Sequence, residues 1–369
     1  MKTNHKVIFA DSSDMKDVPS GSVNLIVTSP PYPMIEMWDE QFSNLNHEIK
    51  NALQNEDGMK AYTIMHNELN KVWNEVDRVL APGSIACVNI GDATRKIGEH
   101  FQLYANHSRI TCHFENMGYQ VLPLIIWRKE TNKPNKFMGS GMLPPSAYVT
   151  LEHEYILIFR KGRNRNFKSD EKLNRQQSAY FWEERNSWFC DIWQDLKGIS
   201  QKLNHEDLRE RSGAYPFDLA YRLINMYSVQ GDTVLDPFFG TGTTMLAAMC
   251  SARNSIGYEI DPEFQKVIDF RLNEIMSLSK EIVFDRLKRH IQFVNDRVEE
   301  KGALKHKSIK YGFMVMTNQE TNISLPFISG IVPSNENEFD VSYSAEIPEL
   351  IIKIKNSGPL QQKFGCSNF

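Results

Sequence analysis

The sequence predicts an α/β fold, a sheet covered by helices on both faces. Three observations carry this. Short apolar runs alternate with stretches of helical spacing from Met1 to about Lys161 and again beyond residue 212. Several of the runs end on an acidic residue and a turn, at Asp11, Asp236 and Glu259. The composition, 41% hydrophobic and 24% charged over 369 residues, is that of an ordinary globular chain.

The elements follow in order. Lys6 to Ala10 is a strand ending at Asp11, and Val23 to Thr28 is a second. Tyr62 to Leu80 places Ile64, Leu69, Val72, Val76 and Val79 at helical spacing and stops at Ala81-Pro82-Gly83. Ile85 to Ile90, Val121 to Trp127 and Tyr155 to Phe159 read as strands. From Lys161 to about Arg211 periodicity fails and charge and aromatics crowd together, which marks an insertion. Pro216 to Tyr227 and Thr243 to Met249 then read as helices, Thr233 to Leu235 and Ser255 to Glu259 as strands, and Pro262 to about Glu300 as a long helical region. The expected division is a first half over 1–161, an inserted segment over 162–211, a second half over 212–300 and an extension over 301–369. Met34 to Asn70 is expected to contain a mobile loop.

No apolar run approaches the roughly 18 residues of a membrane span, and the short apolar stretch at the N-terminus is not a signal peptide. Five cysteines without CxxC spacing read as reduced thiols of a cytoplasmic protein, and no metal-ligand pattern is present. A net charge of −4 makes no polyanion partner for the molecule overall, but a local basic face remains open.

Two stretches carry chemistry. Thr233-Val-Leu-Asp-Pro-Phe-Phe-Gly-Thr-Gly-Thr-Thr244 is a strand, an acid and a glycine turn opening a helix. A phosphate loop would follow its second glycine with Lys; Thr243 stands there instead, and Asp236 would repel a diphosphate. A cationic or zwitterionic ligand fits better. Glu259, at the next strand end, has the placement of an acid that accepts ribose hydroxyls. An adenosine ligand with a positive charge and no phosphate is S-adenosyl-L-methionine. The expected ligand-binding residues are Asp236, Pro237, Phe238, Gly240, Gly242, Thr243, Thr244 and Glu259, with Asp11 at the adenine ring or its amino group and Pro216 and Phe217 at the pocket wall.

The other stretch is Val23-Asn-Leu-Ile-Val-Thr-Ser-Pro-Pro-Tyr32, a buried-looking strand that runs into two prolines and a ring. Prolines bring no N–H donor of their own, so carbonyls can point into a site.

Together the two stretches resemble the amino-methyltransferases of DNA. DPFFGTGTT looks like their S-adenosylmethionine loop, and TSPPY like their (Asp/Asn/Ser)-Pro-Pro-(Tyr/Phe) catalytic motif. With the catalytic motif first and the cofactor loop late, the order resembles the permuted beta group, over residues 5 to about 275. Arg211-Ser-Gly-Ala-Tyr-Pro-Phe-Asp-Leu-Ala220, Glu152-His-Glu-Tyr-Ile-Leu-Ile-Phe-Arg-Lys161 and Leu124 to Lys129 resemble further segments of that family. The resemblance implies a doubly wound, mostly parallel seven-stranded Rossmann-like sheet. It also implies base flipping in double-stranded DNA, with Ser29, Pro30, Pro31 and Tyr32 catalytic: Ser29 Oγ and the Pro30 carbonyl accept from the target amine, and Tyr32 stacks on the base. Family members with Ser first mostly methylate N4 of cytosine, those with Asp or Asn more often N6 of adenine, so cytosine is expected and adenine is the alternative. No cysteine here follows a proline or precedes a glutamine, which excludes the covalent chemistry of cytosine carbon five. Methylation of RNA or of a protein amide goes with Asn at the first position and the unpermuted order. A non-catalytic DNA-binding regulator would not need both motifs intact.

The resemblance further implies a bacterial or archaeal restriction-modification enzyme near the nucleoid, monomeric or dimeric, whose cognate endonuclease need not touch it. The basic run Arg160, Lys161, Arg163, Arg165, Lys168, Lys172 and Arg175 is the expected DNA contact, together with Tyr180, Phe181, Trp182, Trp188, Phe189 and Trp193.

Overall fold

The computed structural model describes residues 1–129, 138–196 and 215–344. The strands used below are β1 (Lys2–Phe9), β2 (Val23–Thr28), β3 (Leu80–Ile90), β4 (Gln120–Arg128), β5 (His153–Arg160), β6 (Ile192–Trp193), β7 (Thr233–Asp236), β8 (Asn254–Glu259), β9 (Phe327–Asn335) and β10 (Glu338–Ser344). They form one ten-stranded sheet in the order β6-β4-β5-β3-β2-β7-β8-β1-β10-β9. The seven strands from β4 to β1 are the expected mostly parallel sheet: β3, β2, β7, β8 and β1 pair in parallel, and β5 runs antiparallel to both neighbours.

Chain order is interleaved in space. β2, from the first half, lies against β7 from the second, with Leu25 opposite Val234 and Ile26 opposite Leu235. The two halves therefore make one sheet rather than two bodies.

Both faces are covered. The helices α1 (Gly58–Val79) and α2 (Asn106–Asn116) bury Leu69, Trp73, Val76 and Phe114 on one side. Asp57 starts α1 by accepting the Lys60 N–H at 3.0 Å. On the other side α3 (Phe217–Tyr227), α4 (Thr243–Cys250) and the start of α5 (Ile275–Lys301) pack Leu219, Leu223, Met245 and Ile275 against the sheet.

Two expectations are corrected, for the segment 34–70 and for the insertion, and the extension, for which no structure was expected or excluded, proves ordered over its described residues. Residues 34–70 are mostly helical, with helices over Asp39–Leu45 and His47–Gln54 before α1. Phe42 and Ile49 are fully buried and give that segment its own core. The extension is structured through residue 344: β9 and β10 form a hairpin whose second strand pairs with β1 (Thr3 opposite Val341), so an edge that would otherwise expose its N–H and C=O groups is closed. Within the insertion, the described aromatics are mainly core. Trp188 and Trp193 join Leu219 and Tyr221, and Phe181 stacks on His290 with ring centroids 3.9 Å apart. Its residues 197–211 lie outside the described residues. Among the described residues no helix is long and apolar enough to cross a membrane.

Two buried histidines make stability sensitive to acid. His5 lies between Thr3 Oγ1 (2.7 Å) and Ser255 Oγ (2.8 Å), and burial lowers it from 6.5 to about 3. Burial likewise lowers His66, beside Asn106 Oδ1, to about 4. Both folded values lie below the unfolded one, so unfolding takes up protons. Their stability is complete above about 6.5 and is lost as pH falls below it, at about 1.4 kcal/mol per pH unit for each group. His5→Asn should remove about one proton from the slope of unfolding free energy against pH between 6 and 4, measured by urea titration. An unchanged slope would contradict the assignment.

Candidate active site

A cleft of about 960 Å³ opens at the carboxyl ends of β1, β2, β7 and β8. Its lining includes Asp11, Ser29, Pro30, Pro31, Tyr32, Asp236, Pro237, Phe238, Gly240, Thr243 and Glu259. Parallel strands order their ends this way: the crevice outside their carboxyl edge is where ligands of open α/β sheets bind.

The two motifs are pinned together from beneath. Thr28 Oγ1 donates to Asp236 Oδ1 at 2.6 Å, and Thr244 Oγ1 to Asp236 Oδ2 at 2.6 Å. The Tyr215 hydroxyl (3.2 Å) and the Phe238 N–H (3.1 Å) complete the set around the same carboxylate. Burial lifts the Asp236 carboxyl above its ordinary range, against these hydrogen bonds, which pull it down. Asp236 borders the cleft, yet its oxygens are committed to this internal cluster.

The glycine turn has a backbone that side chains resist. Gly240 and Gly242 take φ of 51° and 78°. A Cβ at Gly240 would meet nothing within 4 Å among the described residues, so that backbone faces open space. Behind the turn, Arg271 Nη1 donates to the Thr241 carbonyl (2.8 Å) and to Thr243 Oγ1 (3.0 Å), and burial lowers Arg271 to about 10. The Phe239 ring folds under the turn onto Gly257 of β8. At the end of β8, Glu259 accepts the N–H of Gly240 at 2.6 Å and of Asp261 at 2.9 Å. Burial raises its carboxyl above the usual carboxylate range. Ile260, half exposed, and Phe264 add apolar lining that sequence reading missed.

Across the cleft, Ser29 Oγ lies 3.1 Å from the Tyr32 hydroxyl, which donates to Glu154 Oε2 at 2.9 Å. Asn89 Nδ2 reaches Tyr32 Oη (2.9 Å) and Glu154 Oε2 (2.7 Å), and Lys129 pairs with the other Glu154 oxygen. Burial first, then the Glu154 charge, pushes the Tyr32 hydroxyl well above its ordinary range. Asn89, Lys129 and Glu154 were not singled out from sequence. Asn89 is the penultimate residue of β3, and Glu154 reaches this edge because β5 runs backwards through the sheet.

Other candidates fall elsewhere. Pro216 and Phe217 begin α3, where Phe217 stacks on Tyr221, and among the described residues it is Tyr215 that borders the cleft. Residues 211–214 of that segment lie outside the described residues. The basic run is at the opposite edge of the sheet. β5 is antiparallel, so Arg160 pairs with Ile85 at the start side of β3 while Tyr155 pairs with Ile90 at the cleft side. There Arg160 bonds Gln120 (3.0 Å), Lys161 pairs with Asp77 (3.0 Å) and Arg165 with Asp232 (2.8 Å). Arg163 and Lys168 are exposed on the same segment. These side chains thus belong to the edge of the sheet away from the cleft.

A family model described as DNA methylase, of the N6/N4 methyltransferase kind, matches residues 23–270. The chain is 57% identical over 351 residues to the type II methyltransferase M.MthZI of Methanothermobacter thermautotrophicus, covering 95% of this chain and 98% of that protein. It is 52% identical over 281 residues to the type II methyltransferase M.MjaI of Methanocaldococcus jannaschii, covering 73% and 91%. A Thermus thermophilus protein assigned as a DNA modification methylase, solved in complex with S-adenosyl-L-methionine, superposes with a TM-score of 0.57 at 29% identity over 73% of this chain and 95% of that one.

The turn depends on Gly257 having no side chain. A Cβ there would lie 2.0 Å from Phe239 Cδ2 and 2.5 Å from Cγ, near the root of the ring where it cannot swing away. Gly257→Ala should cost about 1–3 kcal/mol of stability by overpacking. Thermal unfolding measures this, and a wild-type Tm would refute the packing argument.

Proposed function

The chain belongs to the N6/N4 DNA methylase family, and from that premise we propose that it transfers a methyl group from S-adenosyl-L-methionine to N4 of a cytosine flipped out of duplex DNA. We further propose that it is the modification enzyme of a restriction-modification system. Its relatives named type II methyltransferases, one of them similar over 95% of this chain, support that role. The observation that carries the reaction is the cleft itself: a serine motif and an acidic glycine turn on adjacent strands, facing one space.

The residues fit the cofactor. Asp11, Glu259 and Asp261 line its side of the cleft, which favours a cation and hydroxyl groups over phosphates. The open backbone at Gly240 allows close approach, and the Glu259 carboxylate stands where ribose hydroxyls are accepted in doubly wound folds. The bound cofactor supplies a methyl group on a positively charged sulfur.

The chain's own part is positioning and charge. The pinned ends of β2 and β7 hold the amine and the methyl donor at fixed separation, and alignment of this kind removes much of the barrier. Ser29 Oγ and the Pro30 carbonyl accept the two amine protons, which draws the nitrogen lone pair out of the ring and offsets its growing positive charge. The prolines place no competing donor there. The ring of Tyr32, which lies beside Gly91 and lines the cleft, is available to the flipped base. A neutral hydroxyl at position 29 supports cytosine as the target, by the family pattern.

Duplex DNA incubated with methyl-labelled cofactor should carry the label in N4-methylcytosine after digestion to nucleosides. Label in N6-methyladenine would overturn the choice of base, and unlabelled DNA the reaction. Ser29→Ala should slow transfer by about 10²–10³-fold with cofactor affinity unchanged. Lost cofactor binding would contradict the role given to Ser29.

A further inference from the structure

The geometry points to Glu154 as the terminal proton acceptor of the methyl transfer, a positioning residue that acts on Ser29 through Tyr32. This rests on the function proposed above and goes beyond it, since the serine motif alone leaves the released proton without a destination.

The direction of the hydrogen bonds is fixed by chemistry. A carboxylate only accepts, so the Tyr32 hydroxyl donates to Glu154 Oε2 at 2.9 Å. The Asn89 amide must turn its nitrogen to the same oxygen, because its carbonyl there would face an acceptor, and that nitrogen also donates to Tyr32 Oη at 2.9 Å. Tyr32 Oη, its own proton given away, accepts from Ser29 Oγ at 3.1 Å. The Ser29 proton thus points to Tyr32, and with Asn89 Nδ2 also reaching Ser29 Oγ at 3.5 Å, Ser29 keeps a lone pair for the cleft. Lys129 pairs with the far oxygen of Glu154 and holds the carboxylate in place. Glu154 is 13% exposed, so solvent competes little for the position.

The step balances. The amine nitrogen forms a bond to the methyl carbon as the carbon–sulfur bond breaks, and that electron pair stays on sulfur. The methylated nitrogen, now cationic, gives a proton to Ser29 Oγ; Ser29 gives its proton to Tyr32 Oη, and Tyr32 gives its own to Glu154 Oε2. Tyr32 receives one proton as it passes another and is never ionised, in keeping with burial holding its hydroxyl well above the ordinary range. An exocyclic amine protonated in this way is a strong acid, so a carboxylate is base enough.

The test is single-turnover transfer to duplex DNA, with cofactor affinity measured separately by titration. Glu154→Gln keeps the shape and removes the charge. It should slow transfer by about 10²-fold with cofactor affinity unchanged, and Glu154→Asp should restore part of the rate. Tyr32→Phe, which removes one oxygen, should show a similar loss. The double variant should be no slower than the slower single one, because members of one chain fail together. Wild-type rates in either single variant, or a double loss equal to the product of the two, would overturn the inference. If the unaltered protein leaves DNA unlabelled, the function itself fails, and that outcome is read without any variant.

Discussion

The carboxylate of Asp236 holds the site together. It joins two segments 208 residues apart in sequence through the 2.6 Å bond from Thr28, and it fastens the first turn of α4 through Thr244. A buried carboxylate is costly unless its oxygens are filled, and here four groups from β2, α4, Tyr215 and its own turn fill them. Because the donors come from elements that neighbour one another only in the finished sheet, the charge is satisfied in one register alone. A slip of β2 by one residue would reverse its faces and withdraw Thr28 from the cluster. The spacing between the serine motif and the glycine turn is therefore a property of the core, and the cleft inherits it.

A second constraint is the reversed strand. If β5 ran parallel to β3, its amino end would lie at the far edge, and Glu154 would be out of reach of the site. Antiparallel, it exchanges the two ends: Glu154 arrives beside Tyr32 and Arg160 goes to the opposite edge. The same reversal explains why the basic run that follows β5 pairs with Asp77 and Asp232 beneath the sheet.

This separates what a sequence reveals from what it conceals. The serine motif and the glycine turn are each contiguous, and their chemistry is written in neighbouring residues: two prolines without donors, glycines at positive φ, an acid at a strand end. The helix-covered sheet followed from alternation and its mostly parallel course from the family resemblance, and its strand bounds came within a few residues. Asn89 lies on β3, Glu154 on β5 and Lys129 just past the end of β4, and they converge only through strand order, which no local pattern encodes. The aromatics of residues 180–193 misled for another reason. A dense aromatic run has the same composition whether it stacks on bases or fills a core, and Trp188 and Trp193 chose the core because β6 pairs at the sheet edge above α3. The tail after α5 gave no signal of its own, since a hairpin that covers an edge is defined by the edge.

The cleft's charge then follows a consistent division. The carboxylates of Asp11, Glu259 and Asp261 stand towards the open side of the glycine turn, where they favour a cation. Those of Asp236 and Glu154 are turned into hydrogen-bond clusters, where they fix direction. The lysines of the lining, Lys71 and Lys129, are paired with Glu68 and Glu154. An acidic lining of this kind favours a cation such as a sulfonium and disfavours phosphate groups.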